Sequence, residues 1–152
     1  MSRVMFLVYC AIAIGMGCFL ALQAGVNGQL RLRTGDPVRA ALLSSAIAAT
    51  SLLVYSLVAV REPWPSADRL IGGPWWLWIG GVLGAVYVAT SLVLVTRLGS
   101  TLMFALIVVG QMVAARFLDH YGLLGIPRHE VSPLRILGVG LLVVGVVLIR
   151  RF

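Results

Sequence analysis

The chain contains no lysine, and only five of its 152 residues carry a carboxylate. Charged side chains of every kind make up 11% of it, where soluble domains carry about a quarter. A water-soluble globule of this length is therefore excluded, for it would lack the polar surface to stay dissolved. Cysteine is equally scarce. Cys10 and Cys18 stand eight positions apart, about 12 Å along a helix, which is too far for a disulfide between them. They read as small apolar packing residues, so neither a redox role nor a metal site is expected. The chain also lacks an HExxH pair, a P-loop, a nucleophile elbow and any paired-carboxylate site. Neither an enzyme nor a cofactor is expected.

What fills the chain is hydrocarbon: 61% of residues are hydrophobic and the mean hydropathy is +1.03. The few charges gather in clusters around Arg31–Arg39, Arg61–Arg69, Arg116–His120, Arg128–Arg135 and Arg150–Arg151. Between them lie apolar runs near the length of about 20 residues that a helix needs to cross a bilayer. The expected fold is an all-α integral membrane protein, one membrane domain over residues 1–152, with spans near 4–24, 38–60, 74–96, 101–117 and 133–149. The first span follows Arg3 and is rich in small residues, as a signal peptide would be. Its apolar core is too long for that, and four more spans follow.

The connections have their own signals. After the first span, Gln23 to Arg33 is an amphipathic extension reaching Gly35-Asp36-Pro37, and Pro37 suits a helix start. Arg61 to Arg69 holds two prolines and reads as a water-side loop. Trp75, Trp76 and Trp78 open the third span, where tryptophan suits the membrane interface; a role in stacking a solute is the alternative. Arg97-Leu-Gly-Ser100 reads as a tight turn and Asp119–Ser132 as a loop. Small residues recur four apart at Ala13, Gly17, Ala21 and Gly25, at Gly80 and Gly84, and at Gly110 and Ala114, a spacing that lets helices approach closely in lipid.

The net charge of +7 comes entirely from arginine. No helix or loop offers a dense basic stripe, so nucleic acid is not an expected partner; the arginines read as headgroup contacts and topology signals. Five spans put the termini on opposite faces. Arg3, Arg61, Arg69, Arg116, Arg128 and Arg135 then share one face, and Arg31, Arg33, Arg39, Arg97, Arg150 and Arg151 the other. This balance removes the usual positive-inside bias. Either one early loop decides orientation, or the chain inserts both ways and pairs with an inverted copy of itself, as the inverted repeats of many transporters do within one chain.

Polar groups inside spans are costly, which makes them candidates for function. Gln23 and Asn27 are four apart and share a helix face. Gly84, Tyr87 and Ser91 share another, with Thr90 beside them. Gln111 is the only strongly polar residue between Thr101 and Ala115. Amides donate and accept, which suits a neutral or zwitterionic solute. Gln111 fits a helix–helix hydrogen bond equally well, and Tyr87 a packing role with a satisfied hydroxyl. No carboxylate sits at the middle of a span. Asp119 comes nearest, within helical reach of Arg116, and reads either as half of a local ion pair or as a proton-coupling group with Arg116 or His120 beside it. His120 could titrate near neutral pH, as its residue type does, yet it and His129 also read as solvated loop histidines.

Several of these segments together resemble the YdcZ family, a bacterial branch of the drug/metabolite transporter superfamily. The run Gln23-Ala-Gly-Val-Asn27-Gly-Gln29-Leu-Arg31 is similar to its first-helix QxxxN motif. Pro74-Trp-Trp, Gly80-Gly81, Gly84-Ala85-Val86-Tyr87-Val88 and Arg97-Leu98-Gly99 also match. Gly110-Gln111 followed by Asp119-His120-Tyr121-Gly122-Leu123-Leu124-Gly125 is the most specific part, and Arg135-Ile-Leu-Gly138 closes the block. The second span departs from the pattern: Ala46 and Ala49 stand where a Phe and, three residues on, a Gly are expected. The resemblance implies one five-helix half of a ten-helix inverted-repeat transporter in a bacterial inner membrane. It also implies a difference from small multidrug resistance proteins, whose first helix carries an embedded Glu that this chain lacks.

The expected function is export of a small neutral, zwitterionic or amphipathic solute by alternating access. The expected assembly is an antiparallel homodimer, or a heterodimer with a paralogue, in the lipid bilayer. Gln23, Asn27, Tyr87 and Gln111 are the expected solute contacts, and Asp119, Arg116 and His120 the expected coupling group. The competing reading is a non-transporting membrane subunit that stabilises or partners another membrane protein. The embedded amides favour transport, because a scaffold has little reason to keep Gln111 in hydrocarbon.

Overall fold

In a computed structural model that describes residues 2–125, 128 and 132–152, the described residues form helices and turns, with no strand among them. Ser2 starts the first helix by accepting a hydrogen bond from the Met5 backbone N–H at 3.2 Å, which satisfies one of the donors a helix start leaves unpaired. This helix, α1, covers Arg3–Thr34. It runs ten residues beyond the expected span, so the amphipathic extension is one continuous helix with the membrane segment. Gly35 ends it in the left-handed conformation at φ 72° and donates its N–H to the Arg31 carbonyl at 2.9 Å. A residue with a Cβ is strained there.

Asp36 then caps α2, Pro37–Ala59, by accepting from the Arg39 N–H at 2.8 Å, with Pro37 in the first turn. Two residues thus reverse the chain, and α1 and α2 pack as a hairpin. The proline-rich stretch that follows is not loop throughout. A short helix, α3, forms over Ala67–Ile71, and Trp75–Trp78 form a 3-10 turn that leads directly into α4, Ile79–Leu98. Trp75 and Trp78 are exposed, as an interfacial belt requires.

Gly99 separates α4 from α5, Ser100–Tyr121, with φ 77° and ψ 160°, a backbone conformation open essentially to glycine. The helix continues through Asp119, His120 and Tyr121, where the sequence predicts a loop. Its last turn closes on Gly122, whose N–H reaches the Leu118 carbonyl. The final helix, α6, is Pro133–Arg151, again with proline in its first turn. His129 lies outside the described residues.

Among the described residues, five helices are long and apolar enough to cross a membrane: α1, α2, Trp75–Leu98, α5 and α6. The chain divides into two compact units, Met1–Thr96 and Arg97–Phe152. In the first, a small cluster of Ala40, Ala41 and Leu92 is buried, with Leu30, Val88 and Ala89 packed on it. Alanine at the start of α2 lets neighbouring backbones come close, which matters in lipid because there is little hydrophobic drive between helices. In the second, α5 and α6 pair along their length. Phe104, Ala105 and Val108 share a groove with Gly145 and Ile149, whereas Met112, Arg116 and Asp119 share one with Arg135 and Val139, as an antiparallel hairpin requires.

The glycine pairs behave differently from the packing stripe their spacing suggests. A Cβ built on Gly17, Gly25, Gly80, Gly84 or Gly110 would meet nothing within 4 Å, and Ala13 and Ala21 are exposed. Among the described residues these small faces carry no close helix contact.

Candidate functional site

The polar residues of the first unit converge where α1 ends, α2 begins and the later half of α4 passes. Asn27 is 6% exposed and Ser91 7% exposed, the two buried polar residues among those described. Ser91 satisfies its own hydroxyl by donating to the Val88 carbonyl at 2.8 Å, the local bond that serine and threonine make inside helices. One turn beyond Asn27, Arg31 reaches from α1 to α4. Its Nη1 donates to the Leu92 carbonyl at 2.7 Å and to Thr96 Oγ1 at 3.0 Å, while the Thr96 hydroxyl donates back to Val93 at 2.8 Å.

Gln23, Asn27 and Arg31 are spaced four apart and form one stripe down α1. Along it, burial changes sharply: Gln23 is exposed, Asn27 buried and Arg31 half-buried. The face shared by Gln23 and Asn27 thus leads from an open position into the packed end of the unit. Tyr87 is half-buried on α4, one turn before Ser91. From sequence alone Arg31 reads as a headgroup arginine. The signal that it does more was its place on the Gln23–Asn27 stripe, since a residue that extends a buried polar face is turned inward rather than toward lipid.

In the second unit, Gln111 is exposed at the midpoint of α5, a helix about 33 Å long at 1.5 Å per residue. That is the depth at which an amide is costliest in a bilayer. Arg116, Asp119 and His120 follow in its last turns, all half-buried. The ion pair expected between Arg116 and Asp119 is not seen at two of the guanidinium nitrogens. Nε and Nη2 of Arg116 are buried without a hydrogen-bond partner among the described residues, as is Nδ1 of His120. Asp119 and Arg116 instead line one groove between α5 and α6, together with Arg135. The imidazole of His120 stands edge-on to the Tyr121 ring, with centroids 4.8 Å apart. Arg135, read from sequence as a topology charge, was missed as a member of this groove, because only the hairpin register brings it level with Arg116.

Apolar helices of spanning length, arginines and tryptophans near their ends, and isolated amides within them define a multi-span membrane protein with polar groups held at membrane depth. Over residues 8–148 the chain matches the family described as "Putative inner membrane exporter, YdcZ". It belongs to that family, which places it in the inner membrane and in the transporter class. Among curated proteins and among solved structures, nothing matches it.

Proposed function

We propose that the chain is one half of an exporter that moves a small neutral, zwitterionic or amphipathic solute by alternating access, and that two copies in opposite orientations form the working unit. The family match over residues 8–148 carries this reading. The small-residue faces of α1 and α4 support the pairing, because a Cβ there would meet nothing within 4 Å and a second copy could approach closely along them. The even division of arginines between the two faces removes the charge bias that would fix one orientation.

In this reading Gln23, Asn27, Tyr87 and Gln111 contact the solute. Amides and a phenol offer both donors and acceptors without a fixed charge, so they hold a neutral or zwitterionic molecule and release it again. Asp119 carries the proton that couples export to a gradient, with Arg116 and His120 setting its surroundings. Export driven by a proton gradient needs a group that changes charge during the cycle, and the span interiors hold no carboxylate.

The test is uptake into vesicles reconstituted with the purified protein, screened over metabolites and drugs with a proton gradient switched on and off. Gln111→Leu is the informative variant, because leucine is at home in hydrocarbon and only the amide is lost. Transport should fall to background while the variant keeps the unfolding temperature of the parent. Normal transport by Gln111→Leu would remove that residue from the site. A protein that moves no solute and gains no stability from any of them would instead be a non-transporting subunit, since binding to the folded state always raises its stability.

A further inference from the structure

Beside the groove between α5 and α6, two guanidinium nitrogens lack a hydrogen-bond partner among the described residues. Both nitrogens, Arg116 Nε and Nη2, are buried, and charged donors left unsatisfied in that way are costly. Arg135 lines the same groove from the first turn of α6. Arg116 lies five residues before the end of α5 at Tyr121, about 8 Å of helix. Both arginines therefore sit toward the α5–α6 connection, the level of the headgroups for helices of spanning length. The groove that Val113 and Gly140 line has no carboxylate among its described lining residues; Asp119 lines a neighbouring groove that shares the two arginines.

Away from the arginines the groove turns apolar. Val113, Ile136, Val139 and Val143 line it, and Gly140 leaves it open, with nothing within 4 Å of a Cβ built there. A cationic end joined to an apolar channel along the membrane normal matches an amphiphile with an anionic head. Basic pockets between transmembrane helices are suited to phosphate headgroups, and guanidinium geometry fits phosphate oxygens.

We propose that this groove binds the phosphate oxyanion of an anionic phospholipid, with Arg116 and Arg135 on the phosphate and an acyl chain along Val139 and Val143. The site lies apart from the amides assigned to the solute and stands or falls without them; it shares Arg116 with the proposed coupling group, so the variants that test it leave Arg116 in place.

Native mass spectrometry of the delipidated, detergent-purified protein reads this directly, with dioleoyl phosphatidylglycerol, dioleoyl phosphatidylcholine or inorganic phosphate added back. The parent should retain phosphatidylglycerol in preference to phosphatidylcholine and gain thermal stability from it. Arg135→Gln, an exposed position where glutamine disturbs no packing, should weaken retention about tenfold, the effect of losing one charged contact worth about 1.4 kcal/mol. Gly140→Leu should also weaken it, since the side chain fills the apolar channel and leaves both arginines in place. Equal retention of the two lipids, or retention unchanged in both variants, would overturn the proposal. Equal stabilisation by inorganic phosphate would overturn its lipid half, showing an oxyanion recognised without its tail.

Discussion

Arg31 shows how one side chain can tie a loosely packed unit together. In lipid the helices of this chain gain little from hydrophobic contact with each other, so a charged hydrogen bond between them weighs more than it would beside a large apolar core. The guanidinium bonds to Leu92 and Thr96 join α1 to α4. Arg31→Met keeps the apolar stem and removes both. It should lower stability by about 2 kcal/mol, within the range for hydrogen bonds to charged groups, read as a drop in unfolding temperature in mild detergent. A variant as stable as its parent would show the bonds to be incidental. Asp119 is tested on function instead. Asp119→Asn keeps the shape and loses the charge. Proton-driven uptake should collapse while solute exchange without a gradient survives; unchanged gradient dependence would leave the carboxylate with a structural role only.

Among the elements, the reversal between α1 and α2 is the clearest case of local chemistry fixing geometry. Gly35 at φ 72°, the Asp36 cap and Pro37 act within three positions, and each suits its place. Gly35→Ala has open space for its methyl, so its cost is backbone strain alone. It should destabilise the chain by about 1–2 kcal/mol, measured by chemical unfolding in detergent. A neutral result would mean that the turn relaxes to another form. This turn was legible from Gly-Asp-Pro in the sequence, as were the five apolar spans from their length. The end of α5 was not. Asp119 and His120 are polar and lie beside the loop, so composition assigns them to water, whereas the helix runs on until Gly122 can close it. Nor was the depth of Arg116 legible. Burial of a guanidinium depends on which face of α5 meets α6, and that register follows from packing between distant segments.

For the molecule as a whole, the small-residue faces and the arginine distribution bear on assembly. Glycine at Gly17, Gly25, Gly80 and Gly84 lowers helix propensity, and such positions repay that cost where another backbone comes close. The described residues supply no such neighbour; an inverted second copy would. Reporter fusions at the C-terminus, one active only in the cytoplasm and one only outside it, read the orientation of each copy in the living membrane. Two inverted copies predict activity from both reporters, together with a dimer in mild detergent. Activity from one reporter alone, with a monomer in detergent, would contradict the account.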